Sequence, residues 1–130
     1  MQAEYLRSLA LVAAGGALGS MLRFAAGASI ASRTGAGFPW ATLTVNVTGC
    51  FAIGLVLAAL GGRSGPSAAL RLFLTTGVLG GFTTFSAFAF ETVALAGRGA
   101  VVAAAGYVAA SVGLGVAAAA AGAAAARALL

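Results

Sequence analysis

Four long, mainly apolar stretches, at about residues 8–32, 40–60, 67–95 and 100–126, leave this chain few ways to fold. About 20 such residues suffice to cross a bilayer as a helix. Hydrocarbon offers no partners to backbone N–H and C=O groups, so a spanning segment must close its hydrogen bonds internally. The expected fold is therefore an all-α membrane protein, a single four-helix transmembrane domain over residues 1–130. Its place is a plasma membrane or cell inner membrane, crossed several times. Composition agrees: the chain is 62% hydrophobic and 7% charged, too apolar for a soluble domain of 130 residues. The apolar stretch after Arg7 is too long for the core of a leader peptide, and further spans follow it. It is read as the first membrane helix.

Seven arginines against Glu4 and Glu91 account for the net charge of +5. They form no basic run and do not interleave with aromatics, so nucleic acid is not an expected partner. They stand singly at the ends of apolar segments, as membrane flanks do. Four spans put both termini and the central turn on one side, with Arg7, Arg63, Arg71 and Arg127. The other side has Arg33 and Arg98, with Arg23 late in the first span, where its stem can snorkel to the interface. A fixed topology normally shows a clear cationic excess inside. So even a split points to insertion in both orientations and to an antiparallel homodimer, an inverted repeat made between two chains. Four thin helices with alanine and glycine faces also enclose little on their own, which again favours oligomerisation.

Along the chain, Gly15 and Gly19 make a small-residue face for close helix contact. Pro39 suits a first helical turn and Trp40 the interfacial aromatic belt. Thr42, Asn46 and Gly49 share one face of the second span. Cys50, the sole cysteine, sits in an apolar run and reads as a small buried hydrophobe. A turn is expected at residues 61–66, around Arg63 and Pro66. The loop at 96–99 is short enough to make spans three and four a tight antiparallel hairpin. On the fourth span Tyr107, Ser111 and Gly115 form a thin polar stripe.

The third span carries the most unusual stretch, Gly77-Val-Leu-Gly80-Gly81-Phe-Thr83-Thr84-Phe85-Ser86-Ala-Phe88-Ala-Phe90. Its glycines favour flexibility and close approach, and its hydroxyls can bond backbone groups freed where a helix breaks. An interruption at residues 80–83 is expected. The alternative is a continuous helix with a small-residue packing face. Non-helical backbone at membrane depth must be buried or line a wet cavity, and broken spans commonly hold ions.

Enzyme chemistry lacks its parts: there is no histidine, and no second carboxylate lies near Glu91. A permeation pathway fits better. Asn46 and the Thr and Ser hydroxyls supply donors, and phenylalanine ring edges carry positive quadrupole charge. Phe85 and Phe88, three residues apart, could present such edges. No acidic ring of a cation pathway is available, so a donor-lined path suits a small anion. Asn46 is read alternatively as an interhelical hydrogen-bonding residue, and the phenylalanines as lipid or core packing. Carbonyls freed at residues 80–83 would suit a hard cation held structurally at a two-fold axis.

Three motifs carry a resemblance over nearly the whole chain: Gly-Ala-Leu-Gly-Ser-Met-Leu-Arg23-Phe, Pro-Trp-Ala-Thr-Leu-Thr-Val-Asn46-Val-Thr-Gly-Cys-Phe and Thr-Gly-Val-Leu-Gly80-Gly-Phe-Thr83-Thr-Phe85-Ser. Taken in order they resemble the Fluc (CrcB) fluoride channels, passive channels built as antiparallel dual-topology dimers with two fluoride pores and a central sodium ion. The resemblance implies that Asn46 faces the pore, that Phe85 and Phe88 form its aromatic edges, and that the Gly80 and Thr83 carbonyls hold sodium. Thr42, Thr84, Tyr107, Ser111 and Glu91 become candidates for a polar track by position. The family usually continues that track along the fourth helix with further hydroxyls; here Gly115 and alanines follow Ser111. A dual-topology small multidrug-type exporter is the alternative, but it needs a membrane-embedded carboxylate in its first helix. A non-transporting assembly subunit would explain the glycine faces, but not the constellation of Asn46 with residues 83–88.

Overall fold

A computed structural model describes residues 1–61 and 66–129. The described residues are almost entirely helical, and four helical segments have the length and apolar composition to cross a membrane. Helix α1 (Gln2–Thr34) starts before the apolar span drawn from residue 8, so it includes Glu4 in its first turn. Helix α2 (Trp40–Leu60) begins one residue after Pro39, which is its N-cap rather than part of its first turn. Residues 62–65 lie outside the described residues, and with them Arg63 and most of the turn expected there.

The third span is assembled from pieces. Helix α3 (Pro66–Leu72) runs into seven residues of wider π turns (Phe73–Leu79), and a single turn, α4 (Gly80–Phe82), follows. The chain then extends through Thr83 (φ −82°, ψ 158°) and Thr84 (φ −149°, ψ 115°) before α5 (Phe85–Gly97) begins. The interruption is real but lies later than the glycines suggest. Gly80 is helical (φ −63°, ψ −39°), and the break falls at the two threonines. The reason is that Gly77 and Gly81 serve close packing against α1. A Cβ on Gly81 would meet the Gly16 carbonyl oxygen at 2.5 Å, one on Gly77 would meet the Gly15 Cα at 2.9 Å, and one on Gly19 would strike the Val78 carbonyl. Helix α1 therefore lies directly on the π turns and α4. Threonines, by contrast, can hydrogen-bond freed backbone with their own hydroxyls.

Helix α6 (Val101–Leu129) follows α5 through Arg98 and Gly99, whose φ of +81° is a glycine conformation, so the two helices run antiparallel as a hairpin. Its main partner is nevertheless α2. Cβ atoms on Gly54 and Gly122 would collide with the Ala119 and Phe51 carbonyls, so the two backbones touch. Leu43, Leu95, Ala104 and Tyr107 form the buried core where α2, α5 and α6 meet. That core holds the broken helix at a fixed depth against the face carrying Asn46.

Candidate functional site

Asn46 spans the break. Its Nδ2 donates to the Thr84 carbonyl oxygen at 2.9 Å, and the Thr84 N–H donates to its Oδ1 at 2.8 Å. The amide thus takes the Thr84 N–H, which a continuous helix would give to Gly80, and adds a second donor to the Thr84 carbonyl, which as the N-cap of α5 already opens that helix. The hydroxyls complete the repair. Thr83 Oγ1 donates to the Leu79 carbonyl at 2.9 Å, and Thr84 Oγ1 accepts the Ala87 N–H at 3.2 Å as the N-cap of α5. Ser86 meets the Thr84 hydroxyl at 3.3 Å rather than a backbone group. Gly49 lies one helical turn deeper on α2, and a Cβ there would strike Thr83 Cγ2. The face shared by Thr42, Asn46 and Gly49 is thus turned wholly towards the broken helix.

Around the break lies a cavity of about 240 Å³ lined by Asn46, Cys50, Thr83, Thr84, Phe85, Phe88, Ser111 and Val112. None of these side chains carries a charge. The Oγ of Ser111 is buried there without a hydrogen-bond partner. Asn46 commits one of its two N–H donors to Thr84, which leaves the other. Phe85 is 79% exposed on the chain, whereas Phe88 packs against the core.

A second polar cluster stands nearer the loop side. Thr42 Oγ1 donates to Glu91 Oε1 and the Tyr107 hydroxyl donates to Oε2, both at 2.7 Å. Tyr107 is fully buried. Its ring lies 5.2 Å from Phe88 and meets Phe38 edge-on at 5.4 Å, while Phe85 and Phe88 are 5.5 Å apart. An aromatic ladder therefore runs from Phe38 to the cavity at the break. Glu91, Phe38 and Trp40 line a further cavity of about 250 Å³, closed by Thr34, Leu95 and Arg98 among others.

The expected site residues thus fall into three places. Asn46, Thr83, Thr84, Phe85, Phe88 and Ser111 meet at the break, and Thr42, Glu91 and Tyr107 form the carboxylate cluster one step outward. Gly80 lines neither of these cavities. Its carbonyl is short of a partner, because Thr84, the residue four ahead, gives its N–H to Asn46. The Thr83 carbonyl loses the Ala87 N–H in the same way, to the Thr84 hydroxyl. Sequence reasoning overlooked Phe38 and Arg98 as cavity-lining residues. The aromatic directly before Pro39 was the available signal for the first; Arg98 reads only as a flank. It also did not anticipate the π turns.

A model of the family described as CrcB-like protein, Camphor Resistance (CrcB), matches residues 10–123. The chain belongs to the CrcB family. It is 51% identical over 105 residues to a protein of Rhodospirillum centenum named fluoride-specific ion channel FluC, covering 80% of this chain and 82% of the relative. Proteins of the same name from Rhizobium meliloti (47% over 103 residues, 79% and 82% covered) and Thermus thermophilus (56% over 91 residues, 70% and 72% covered) are also similar. Relatives named as ion channels, together with four helices of spanning length, make this a multi-pass membrane protein of a non-enzymatic family.

Proposed function

We propose that this chain is a fluoride-selective passive channel in the plasma or inner membrane, working as an antiparallel, dual-topology homodimer with two pores. The observation that carries the reading is the uncharged cavity at the break, with an amide N–H to spare and the unpartnered Ser111 hydroxyl, in a chain whose relatives are named fluoride-specific channels. Fluoride accepts hydrogen bonds and donates none. A path of fixed donors and phenylalanine edges can replace its water without attracting cations. In this reading Asn46, Phe85, Phe88, Thr84 and Ser111 line the pore, and Thr42, Tyr107 and Glu91 continue the polar track.

Two features favour the dimer. Only 6% of the most apolar window of the third span is buried within one chain, although that span carries the densest motif. The arginines, moreover, show almost no bias between the two sides. The carbonyls of Gly80 and Thr83, both deprived of their helical donors, have the chemistry of a sodium site. Sodium shared between two chains would hold their breaks in register as a structural ion.

The physiology follows from acid–base chemistry. Hydrogen fluoride is a weak acid that crosses bilayers neutral and dissociates in a less acidic cytoplasm, where fluoride is trapped. An open path lets the inside-negative potential drive the anion out, with about 2.3 kcal/mol per charge per 100 mV. Neither nucleotide nor coupling ion is required. The test is fluoride efflux from liposomes holding purified protein, with a fluoride electrode and a potassium ionophore to clamp the voltage. Rapid fluoride release without chloride release is expected. No release from folded, dimeric protein would overturn the reading.

A further inference from the structure

We infer that Arg98 is an anion-collecting residue, and that the cavity it shares with Glu91 is the loop-side mouth of the pathway. The inference rests on the channel reading and adds to it a binding site for a small monovalent anion. The cavity is lined by Thr34, Phe38, Trp40, Glu91, Leu95 and Arg98 among others, and it holds about 250 Å³, room for several waters. Behind Glu91 lie Thr42 and Tyr107, bonded to its two oxygens, and the Tyr107 ring leads by contact with Phe88 to the cavity at the break. On α2 the same order appears: Trp40 lines the outer cavity and Asn46 the inner one, six residues and roughly 9 Å further along the axis. The two cavities thus lie at successive depths along α2.

The outer cavity poses an electrostatic problem. Its inner wall holds Glu91, whose charge would repel any anion arriving from the loop side. Both Glu91 oxygens are already occupied by hydroxyl donors, which turns the carboxylate towards Thr42 and Tyr107. Arg98 caps the C-terminus of α5 two turns after Glu91, is exposed, and lines the same cavity. The helix C-terminus also presents carbonyl oxygens, a second negative element. Among the described residues this guanidinium is the one fixed positive charge lining the cavity, and it offsets both. Arg33, in the last turn of α1, belongs to the same end of the bundle but does not line the cavity.

The size of the effect follows from Coulomb's law. A unit charge about 8 Å from the ion, in a medium of ε about 40, changes the local anion concentration about fivefold. The gain should vanish near 1 M salt, where the screening length is about 3 Å.

The experiment measures fluoride efflux from liposomes with wild type, R98Q, R98K and R33Q, at about 10 mM and about 1 M of an impermeant salt. R98Q is expected to conduct about fivefold more slowly than wild type at low salt and equally at high salt. R98K should retain most of the flux, because it retains the charge, and R33Q should change little. If R98Q matches wild type at low salt, or loses flux equally at both salt concentrations, the inference is overturned; the second result would mark Arg98 as merely structural. An equal deficit in R33Q at low salt would also overturn it, since the effect would then belong to the surface and not the cavity. If wild type itself releases no fluoride, the failure lies with the channel reading.

Discussion

Replacing Asn46 by alanine should cost the protein both its break and its conduction. The side chain makes two hydrogen bonds, at 2.9 and 2.8 Å, to the C=O and N–H of one residue, Thr84. Leaving a buried polar group unpaired costs about 1–3 kcal/mol, and of the two groups only the Thr84 N–H would lose its sole partner, so about 3 kcal/mol is a ceiling. Relaxation lowers this. With Asn46 gone, the Thr84 N–H can turn back to the Gly80 carbonyl, its ordinary helical partner, and interhelical hydrogen bonds measured within membranes average only about 0.6 kcal/mol each. A loss of roughly 1–3 kcal/mol is therefore expected, with the extended pair Thr83–Thr84 drawn towards helix. The leucine variant, which keeps asparagine's heavy-atom number and branching, separates the hydrogen bonds from the space they occupy. Both variants should lose fluoride efflux in the liposome assay, and both should unfold earlier in a denaturing-detergent titration. Slower amide exchange at Ala87, whose N–H would pass from the Thr84 hydroxyl to the Thr83 carbonyl as the pair turns helical, would report that the break itself has changed. Wild-type efflux together with wild-type stability in N46A would refute the reasoning, because the amide would then be neither a clamp nor a lining group.

The glycine contacts make a contrast that a stability series can read. G54A and G122A should each destabilise by about 1–3 kcal/mol, since their Cβ atoms strike backbone carbonyls across the α2–α6 contact, whereas G27A and G106A meet nothing within 4 Å and should be neutral or stabilise by up to about 1 kcal/mol. Y107F removes the 2.7 Å donation to Glu91 and T42V the other, so each should slow efflux. The double variant should deviate from additivity by about 0.5–3 kcal/mol, measured as stability in a double-mutant cycle.

Much of this was legible before any coordinates. The apolar segments dictate four helices, because hydrocarbon leaves a backbone no other way to satisfy itself over that length. The spacing of Thr42, Asn46 and Gly49 dictates a common face, since helical geometry turns by a constant angle per residue. The polar motif around Thr83 suits a break, because its clustered hydroxyls can bond the backbone groups that a break frees, although single threonines elsewhere in the spans bond the preceding turn instead. What composition and spacing could not decide is how these pieces satisfy one another. Gly80 and Gly81 look like the weak point when read singly, yet α1 lies so close that Gly81, with Gly77, serves as a packing surface, and the chain opens two residues later, where Asn46 reaches it. Glu91 looks isolated in the sequence, and only the crossing of α2, α5 and α6 brings two hydroxyls to its oxygens. Local sequence sets which groups need partners; the partners come from residues 16 to 49 positions away, and only helix packing brings them within reach.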